Sequence, residues 1–144
     1  SKKVERAMPT LNLKVTPPID VACAQALATA LTDLTANALG KRPEVTTVTV
    51  ESLSDGHWFV GGSRAARATA QLQIHITAGT NTTAQKARFA EAAFALLQRQ
   101  LAPNATLELA SYVQVHELPA SDWGYGGLTQ AARQAERAAS ITAT

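Results

Sequence analysis

The sequence has one cysteine, little net charge and no long hydrophobic run. Among its 144 residues the single cysteine, Cys23, excludes a disulfide scaffold and a multi-cysteine metal site, and it fits a reducing compartment. No apolar run approaches the roughly 18 residues that a membrane-spanning helix needs. The first eight residues carry charge but lack the apolar segment of a signal peptide. We therefore expect a cytoplasmic protein with no membrane partner.

The formal net charge is only +2, and the first seven residues account for it. They hold three basic side chains and one acidic side chain, whereas residues 8–144 hold ten of each. A protein that binds the phosphates of nucleic acid would have a basic excess on its folded part. The charge balance therefore argues against a nucleic-acid partner. With 46% hydrophobic residues the chain is expected to fold as one domain around a core.

The two halves of the chain repeat the same pattern. The alternating apolar residues of segment 11–15 recur at 72–76, and the helical pattern of 27–39 recurs at 89–101. The segment from Trp58 to Gly62 recurs as the segment from Trp123 to Gly127. The offset between matching residues changes by a few positions only at the connections, where loop lengths vary most freely. This pattern predicts two copies of one structural unit.

The first unit has the pattern of a strand, a helix and a second strand. Residues 10–16 and 45–51 alternate with period two, which is typical of half-buried strands. Between them, Asp20 can cap a helix start, Gly40 can end the helix in the left-handed conformation, and Pro43 prevents its continuation. The helix between these signals has an apolar stripe formed by Ala24, Leu27, Leu31, Leu34 and Ala38.

The second unit repeats this order. Thr82 and Gln85 have capping-box spacing, and Pro103 follows the helix. The predicted stripe consists of Ala90, Phe94, Leu97 and Leu101. A strand, helix and strand in this order make parallel strands with a right-handed crossover. We therefore predict an α+β fold, in which tandem β-α-β units form a four-stranded sheet with two helices on one face.

The other face of the predicted sheet is polar, so it can face water or line the interface of an oligomer. His75 and His116 share this face, but two histidines with no carboxylate in phase make a poor metal site, and we expect no metal. The remaining side chains of this face are Thr10, Asn12, Lys14, Thr16, Gln71, Gln73, Thr77, Tyr112 and Gln114. Beyond it, residues 130–139 are Ala-rich with alternating charge, which is typical of an exposed helix or a frayed arm.

The order of these motifs resembles the tautomerase superfamily. Met8 and Pro9 stand directly before the first strand, and each unit ends in its Trp-x-x-Gly-Gly turn. The chain is similar over residues 8–128 to 4-oxalocrotonate tautomerase and macrophage migration inhibitory factor, as a fused two-unit member with Ala70 in place of the second proline. The resemblance implies a leader at 1–8, a tautomerase-like domain at 9–128 with units 9–62 and 70–127, and a C-terminal arm at 129–144.

The resemblance also implies an activity. Members of this superfamily use an N-terminal proline as a general base, which identifies Pro9 as the expected catalytic residue. We expect an enzyme, a cofactor-independent tautomerase or isomerase that moves a proton between carbon and oxygen in a small oxo acid or enol. The expected assembly is a homotrimer. Only a chain that begins at Pro9 offers a basic nitrogen, because after eight residues this nitrogen is an amide.

The resemblance assigns five further residues to substrate binding. Gly40-Lys41-Arg42-Pro43 is similar to a turn of macrophage migration inhibitory factor whose lysine lies in the pocket, so Lys41 is the expected anion-binding residue. Tyr112 and Gln114 fall on two residues that reach a neighbouring subunit's pocket. Trp58 and Trp123 would line the pocket. The two arginines of the 4-oxalocrotonate tautomerase pattern are absent, since Thr80 and Tyr112 occupy their positions.

Other interpretations of these residues remain open. The chain fits a dehalogenase-like or decarboxylase-like relative on the same scaffold, and it also fits a non-catalytic trimeric family member with Pro9 blocked. Lys41 fits a solvated cation that complements the end of the first helix. Each tryptophan fits a residue that only fastens its turn to the core.

Overall fold

The structure is a computed structural model that describes residues 8–143, with side chains described as far as Ile141. The first half contains β1 (Thr10–Thr16), α1 (Val21–Leu39), β2 (Thr47–Ser52), β3 (Phe59–Val60) and β4 (Ser63–Arg64). The second half contains β5 (Thr69–Thr77), α2 (Thr83–Leu101), β6 (Tyr112–Leu118), β7 (Gly124–Tyr125), β8 (Leu128–Thr129) and α3 (Gln130–Ala143).

Four strands form one mixed sheet in the order β2-β1-β5-β6. Within each unit the two strands are parallel, and the units meet through the antiparallel pair β1 and β5. Asn12 is paired with Gln73, and these two residues are also equivalent positions of the repeat. A local twofold axis that relates the two units therefore passes between them. The predicted α+β fold of tandem β-α-β units is confirmed.

Local signals mark the starts and ends of the two long helices as the sequence predicts. The Asp20 side chain accepts a hydrogen bond from the Cys23 backbone, and Gly40 ends α1 with a φ of 69°. Thr82 and Gln85 form a complete capping box at the start of α2. Pro43 and Pro103 both lie in the connection from helix to second strand. The predicted strand 45–51 begins two residues later than expected, because Pro43–Val45 form a 3₁₀ turn.

The core lies between one face of the sheet and the two long helices. The strands contribute Leu11, Leu13, Val15, Ala70, Leu72, Ile74 and Ile76. The helices contribute Leu27, Leu31, Thr35 and Leu39 from α1, and Phe89, Ala93, Leu96 and Leu97 from α2. The predicted apolar stripe of α2 is only partly correct. Phe94 and Leu101 are only partly buried, whereas Phe89 and Ala93 are fully buried.

Two small hairpins follow β2 and β6 and have the same geometry. The paired glycines Gly61–Gly62 and Gly126–Gly127 all have φ between 60° and 85°. Two consecutive residues with positive φ form the turn that matches the twist of a two-residue hairpin, and glycine adopts it without strain. In each hairpin the backbone carbonyl of the preceding tryptophan, Trp58 or Trp123, accepts a bond from the chain that leaves the hairpin.

The C-terminal arm is a helix that packs at its start. Gln130 is 3% exposed, and Arg133 donates to the Tyr125 carbonyl at 2.8 Å, whereas Ile141 is 61% exposed. The predicted helix at 130–139 is therefore present, but its first turns are packed against β7 rather than exposed. No helix in the described part of the chain combines the length and hydropathy needed to cross a membrane.

Candidate functional site

Pro9 lies at one end of the sheet, next to the last residues of β5. It is buried, and its carbonyl accepts a hydrogen bond from the Thr47 backbone at 3.2 Å. Because Thr10 is paired with His75, Pro9 lies beside the C-terminal end of β5. Its position is in phase with the buried Leu11, so it belongs to the side of the sheet that the helices cover.

Lys41 is buried near the same end of the sheet. Its side chain is 3% exposed, which excludes the solvated cation that the sequence left open. The Lys41 ammonium group donates to the Thr80 hydroxyl at 2.9 Å, and that hydroxyl donates to the Thr77 carbonyl at 2.6 Å. Lys41 follows the C-cap glycine of α1, where the helix dipole favours a cation. The turn after β5 therefore holds a positive charge at the end of the sheet that contains Pro9.

The second hairpin adds an aromatic side chain to this end. The Trp123 indole nitrogen donates to the Thr77 hydroxyl at 3.2 Å, which fixes the ring next to the last residue of β5. Thr77 is 1% exposed. Pro9, Lys41, Thr80 and Trp123 therefore share one end of the sheet within a single chain.

Trp58 and Tyr112 lie at the opposite end of the sheet. β2 runs parallel to β1, so the hairpin after β2 lies beyond the C-terminal end of β1, about 20 Å from Pro9 for a strand of this length. Trp58, Gln71 and Tyr112 line an open cavity of about 330 Å³ there, and Tyr112 is 60% exposed. The structure thus does not bring these predicted binding residues to Pro9 of the same chain.

The two tryptophans differ in a way that the repeat does not predict. The residue equivalent to Thr77 in the first unit is Thr16, which is 1% exposed. Among the described residues its hydroxyl has no hydrogen-bond partner, so the bond seen in the second unit has no counterpart in the first. Trp123 is therefore fastened to its strand by a hydrogen bond, and Trp58 lacks the equivalent bond.

We expect Trp123→Phe to lower the free energy of unfolding by about 1–3 kcal/mol more than Trp58→Phe does. Both changes remove the same indole group, but only the first leaves the buried Thr77 hydroxyl without its donor. Urea unfolding of the two variants and the parent chain measures this difference. Equal losses would mean that the indole bond contributes nothing to stability.

Two histidines form a stacked pair on the open face of the sheet. The rings of His75 and His116 lie 4.8 Å apart at 19°, and His116 is 3.3 Å from the Gln114 amide oxygen. That oxygen also accepts a bond from Gln73 at 2.9 Å. Burial lowers the pKa of His75 and repulsion from His116 lowers it further, against a smaller opposing effect of the Thr10 backbone. Among the described side chains no group of three or more His, Cys, Asp or Glu could hold a metal ion.

Because the pKa of His75 lies below its ordinary value of 6.5 in the folded chain, protonation favours the unfolded state. We therefore expect this histidine to reduce stability as the pH falls below 6.5, and to have no effect well above that pH. His75→Gln should flatten this part of the pH profile of the urea midpoint. An unaltered profile in the His75 variant would contradict the assignment.

Some residues of this end of the sheet were not identified as site residues from the sequence. Thr77 and Thr80 give no signal beyond their period-two and turn positions. The contact of Thr77 is with a residue 46 positions away, and that of Thr80 is with a residue 39 positions away. Arg133 lay in an Ala-rich segment with little apolar pattern. Its contact with the hairpin becomes visible only when α3 is seen against β7.

Comparison with known proteins identifies relatives of both halves. The Tautomerase family model, described as a tautomerase enzyme, matches residues 9–67. A wild-type fused 4-OT that forms an asymmetric trimer is 26% identical, with a TM-score of 0.72, covering 85% of this chain and 97% of that one. A native fused 4-OT is 25% identical, with a TM-score of 0.71 and the same coverages.

A more distant structure has the same fold. The macrophage migration inhibitory factor-like protein of Entamoeba histolytica is 18% identical, with a TM-score of 0.68, covering 85% of this chain and 99% of that one. A search of curated protein sequences gives no significant match. The chain is thus similar over 85% of its length to fused 4-OT proteins.

Proposed function

Because the chain belongs to the tautomerase superfamily as a fused member, we propose that it is a cofactor-independent tautomerase with Pro9 as general base. It moves a proton between carbon and oxygen in a small oxo acid or enol. The observation that carries this proposal is the shared position of Pro9 and the buried Lys41 at one end of the sheet. A buried cation lowers the pKa of a neighbouring amine and stabilises the anionic enolate that forms when a proton leaves carbon.

The proposed mechanism uses three groups of this end. The secondary amine of a chain that begins at Pro9 takes the proton from the carbon next to the substrate carbonyl. It then delivers this proton to the oxygen of the enolate. The Lys41 ammonium group, held by Thr80, offsets the negative charge on the enolate oxygen. The Trp123 ring, fixed by Thr77, excludes water from one side of the pocket. Residues 1–8 then act as a leader whose removal generates the base.

We further propose that three copies assemble and complete each other's sites. Within one chain Tyr112 lies too far from Pro9 to act there, and it is 60% exposed. Both outer strands of the sheet, β2 and β6, have one unpaired edge within the described chain. A neighbouring copy is therefore the source of Tyr112 and Gln114, with Trp58 beside them. Residues 9–128 form the assembling domain, and residues 129–144 are the C-terminal arm.

We expect the assembly to contain about three chains in dilute buffer. Sedimentation equilibrium at micromolar concentration measures its mass without reference to shape. A monomer under these conditions would contradict the proposal, because Tyr112 and Gln114 would then have no Pro9 within reach.

The activity is tested by hydrogen exchange. A chain that begins at Pro9 is mixed with phenylpyruvate in deuterated buffer, and the proton signal of the carbon next to the carbonyl is followed by NMR. The expected result is a loss of this signal well above the rate in the same buffer without protein. Exchange no faster than in buffer would favour a binding protein that keeps the fold without the chemistry.

A further inference from the structure

Asn81 joins the ends of the two long helices. Its side-chain amide nitrogen donates to the backbone carbonyl of Leu39, the last residue of α1, at 2.9 Å. The same nitrogen donates at 3.0 Å to the side-chain oxygen of Gln85, which lies in the first turn of α2. An amide nitrogen carries two hydrogens, so Asn81 makes both bonds at once. The end of α1 is therefore tied to the start of α2 by one side chain.

The bond to Leu39 lies close to the backbone of Lys41. The last carbonyls of a helix have no partner within the helix, and Leu39 is buried, so water has little access to its carbonyl. Gly40 follows in the left-handed conformation and ends the helix, and Lys41 is the next residue. The Asn81 bond therefore fixes the chain two residues before the one that carries the cation.

The residue before Asn81 holds the other end of the Lys41 side chain. The Lys41 ammonium group donates to the Thr80 hydroxyl at 2.9 Å, and that hydroxyl lies 3.4 Å from the Asn81 side-chain oxygen. The Thr80 hydroxyl donates its single hydrogen to the nearer Thr77 carbonyl, at 2.6 Å. Two consecutive residues of the turn after β5 thus fix Lys41, one through its charged end and the other through its backbone.

We propose that Asn81 is a positioning residue, which holds the Lys41 ammonium group at the end of the sheet that contains Pro9. A lysine carries its charge on a long, flexible stem, so the place of the ammonium group depends on the backbone as well as on the Thr80 bond. Asn81 does not touch the reacting atoms and acts through Lys41. The inference rests on the proposed function, in which this cation favours the neutral amine of Pro9 and stabilises the enolate.

The first test detects the Lys41 ammonium group in the full chain. In a nitrogen–hydrogen correlation NMR spectrum, an ammonium group gives a sharp signal only when burial and hydrogen bonding slow its exchange with water. The signal of Lys41 is identified by its absence in Lys41→Met. Asn81→Leu keeps a branched side chain at this position but removes both N–H donors. It should broaden the Lys41 signal beyond detection.

Thr82→Ala is the matched control, because Thr82 is the next residue and caps α2 through its hydroxyl. Both substitutions remove a hydrogen bond at the start of α2, so both should lower the urea midpoint. Only Asn81→Leu also removes the bond to the end of α1. The Lys41 signal should therefore stay sharp in Thr82→Ala.

The second test measures proton exchange on phenylpyruvate by the chain that begins at Pro9. Asn81→Leu should lower kcat/KM by about 3- to 10-fold and move the rising limb of the pH profile to higher pH, because the cation no longer stands near the Pro9 amine. In a chain that already carries Lys41→Met, Asn81→Leu should change neither the rate nor the profile further. Thr82→Ala should keep the rate and the profile of the parent chain.

The other outcomes separate the inference from the proposed function. A sharp Lys41 signal in Asn81→Leu, no signal in the parent chain, or equal broadening in Thr82→Ala excludes the positioning role. A broadened signal with an unchanged rate, or a further rate loss on top of Lys41→Met, also overturns it, because Asn81 would then not act through Lys41. Broadening in Asn81→Leu alone, without proton exchange by any chain, overturns the proposed function and leaves Asn81 as the residue that holds Lys41.

Discussion

A chain that begins at Pro9 is expected to convert the enol of phenylpyruvate to its keto form at least about 100-fold faster than the chain that begins at Ser1. The reason is chemical, since the nitrogen of Pro9 is a basic secondary amine in the first chain and a non-basic amide in the second. Loss of the ultraviolet absorbance of the enol measures the rate. The pH profile of the shorter chain should rise through one apparent pKa below that of a free peptide amine.

A chain that begins at Met8 is the matched control. It has only one additional residue and a free α-amine, but its Pro9 nitrogen is an amide. It should be as slow as the full chain if the proline amine is the base. Pro9→Ala in the shortest chain keeps an amine in the right position, so its activity should fall without being abolished. Equal rates for chains that begin at Met8 and Pro9 would exclude Pro9 as the base.

Lys41→Met should reduce kcat/KM for the oxo acid by about 10- to 100-fold in the chain that begins at Pro9. The variant keeps the volume of the buried side chain but removes the charge that offsets the enolate. It should also raise the pKa of the Pro9 amine, because the protonated amine no longer faces a nearby cation. The activity at pH 7 therefore falls, and the rising limb of the pH profile moves to higher pH.

The control for Lys41→Met is Arg99→Met, which removes one positive charge from an exposed site at the other end of α2. It should change neither the rate nor the profile. The stability of Lys41→Met provides a second check. We expect the turn after β5 to keep its structure in this variant, because the Thr80 hydroxyl still donates to the Thr77 carbonyl. A rate loss in Lys41→Met with an unshifted pH profile would mean that Lys41 binds the anion but lies too far from Pro9 to influence its amine.

The sequence predicts the elements well because their signals are local. Asp20, Gly40 and the Thr82–Gln85 box act within one turn of the chain, and the structure contains each of them as predicted. The apolar column of α2 was less well defined. Phe89 and Phe94 lie on different faces of the same helix. The way in which the helix packs on the sheet decides which of them is fully buried.

The site is less predictable because its contacts join distant segments. The sequence identifies Lys41 as an expected site residue, but its burial and its bond to Thr80 depend on how the first helix meets the turn after β5. The repeat suggests that Trp58 and Trp123 have equal roles. Their hydrogen bonding differs, since Thr77 accepts an indole bond and Thr16 has no partner among the described residues.

The twofold relation between the units has a consequence for how many bases one molecule can carry. The sheet has two equivalent strand starts, at Pro9 and at Ala70, but a polypeptide has only one N-terminal amine. Ala70 lies in mid-chain with 0% exposure, and its nitrogen accepts no proton because it is an amide that donates to Ser111. A chain of two joined units therefore has at most one reactive amine, and the start of its second strand contributes to packing alone.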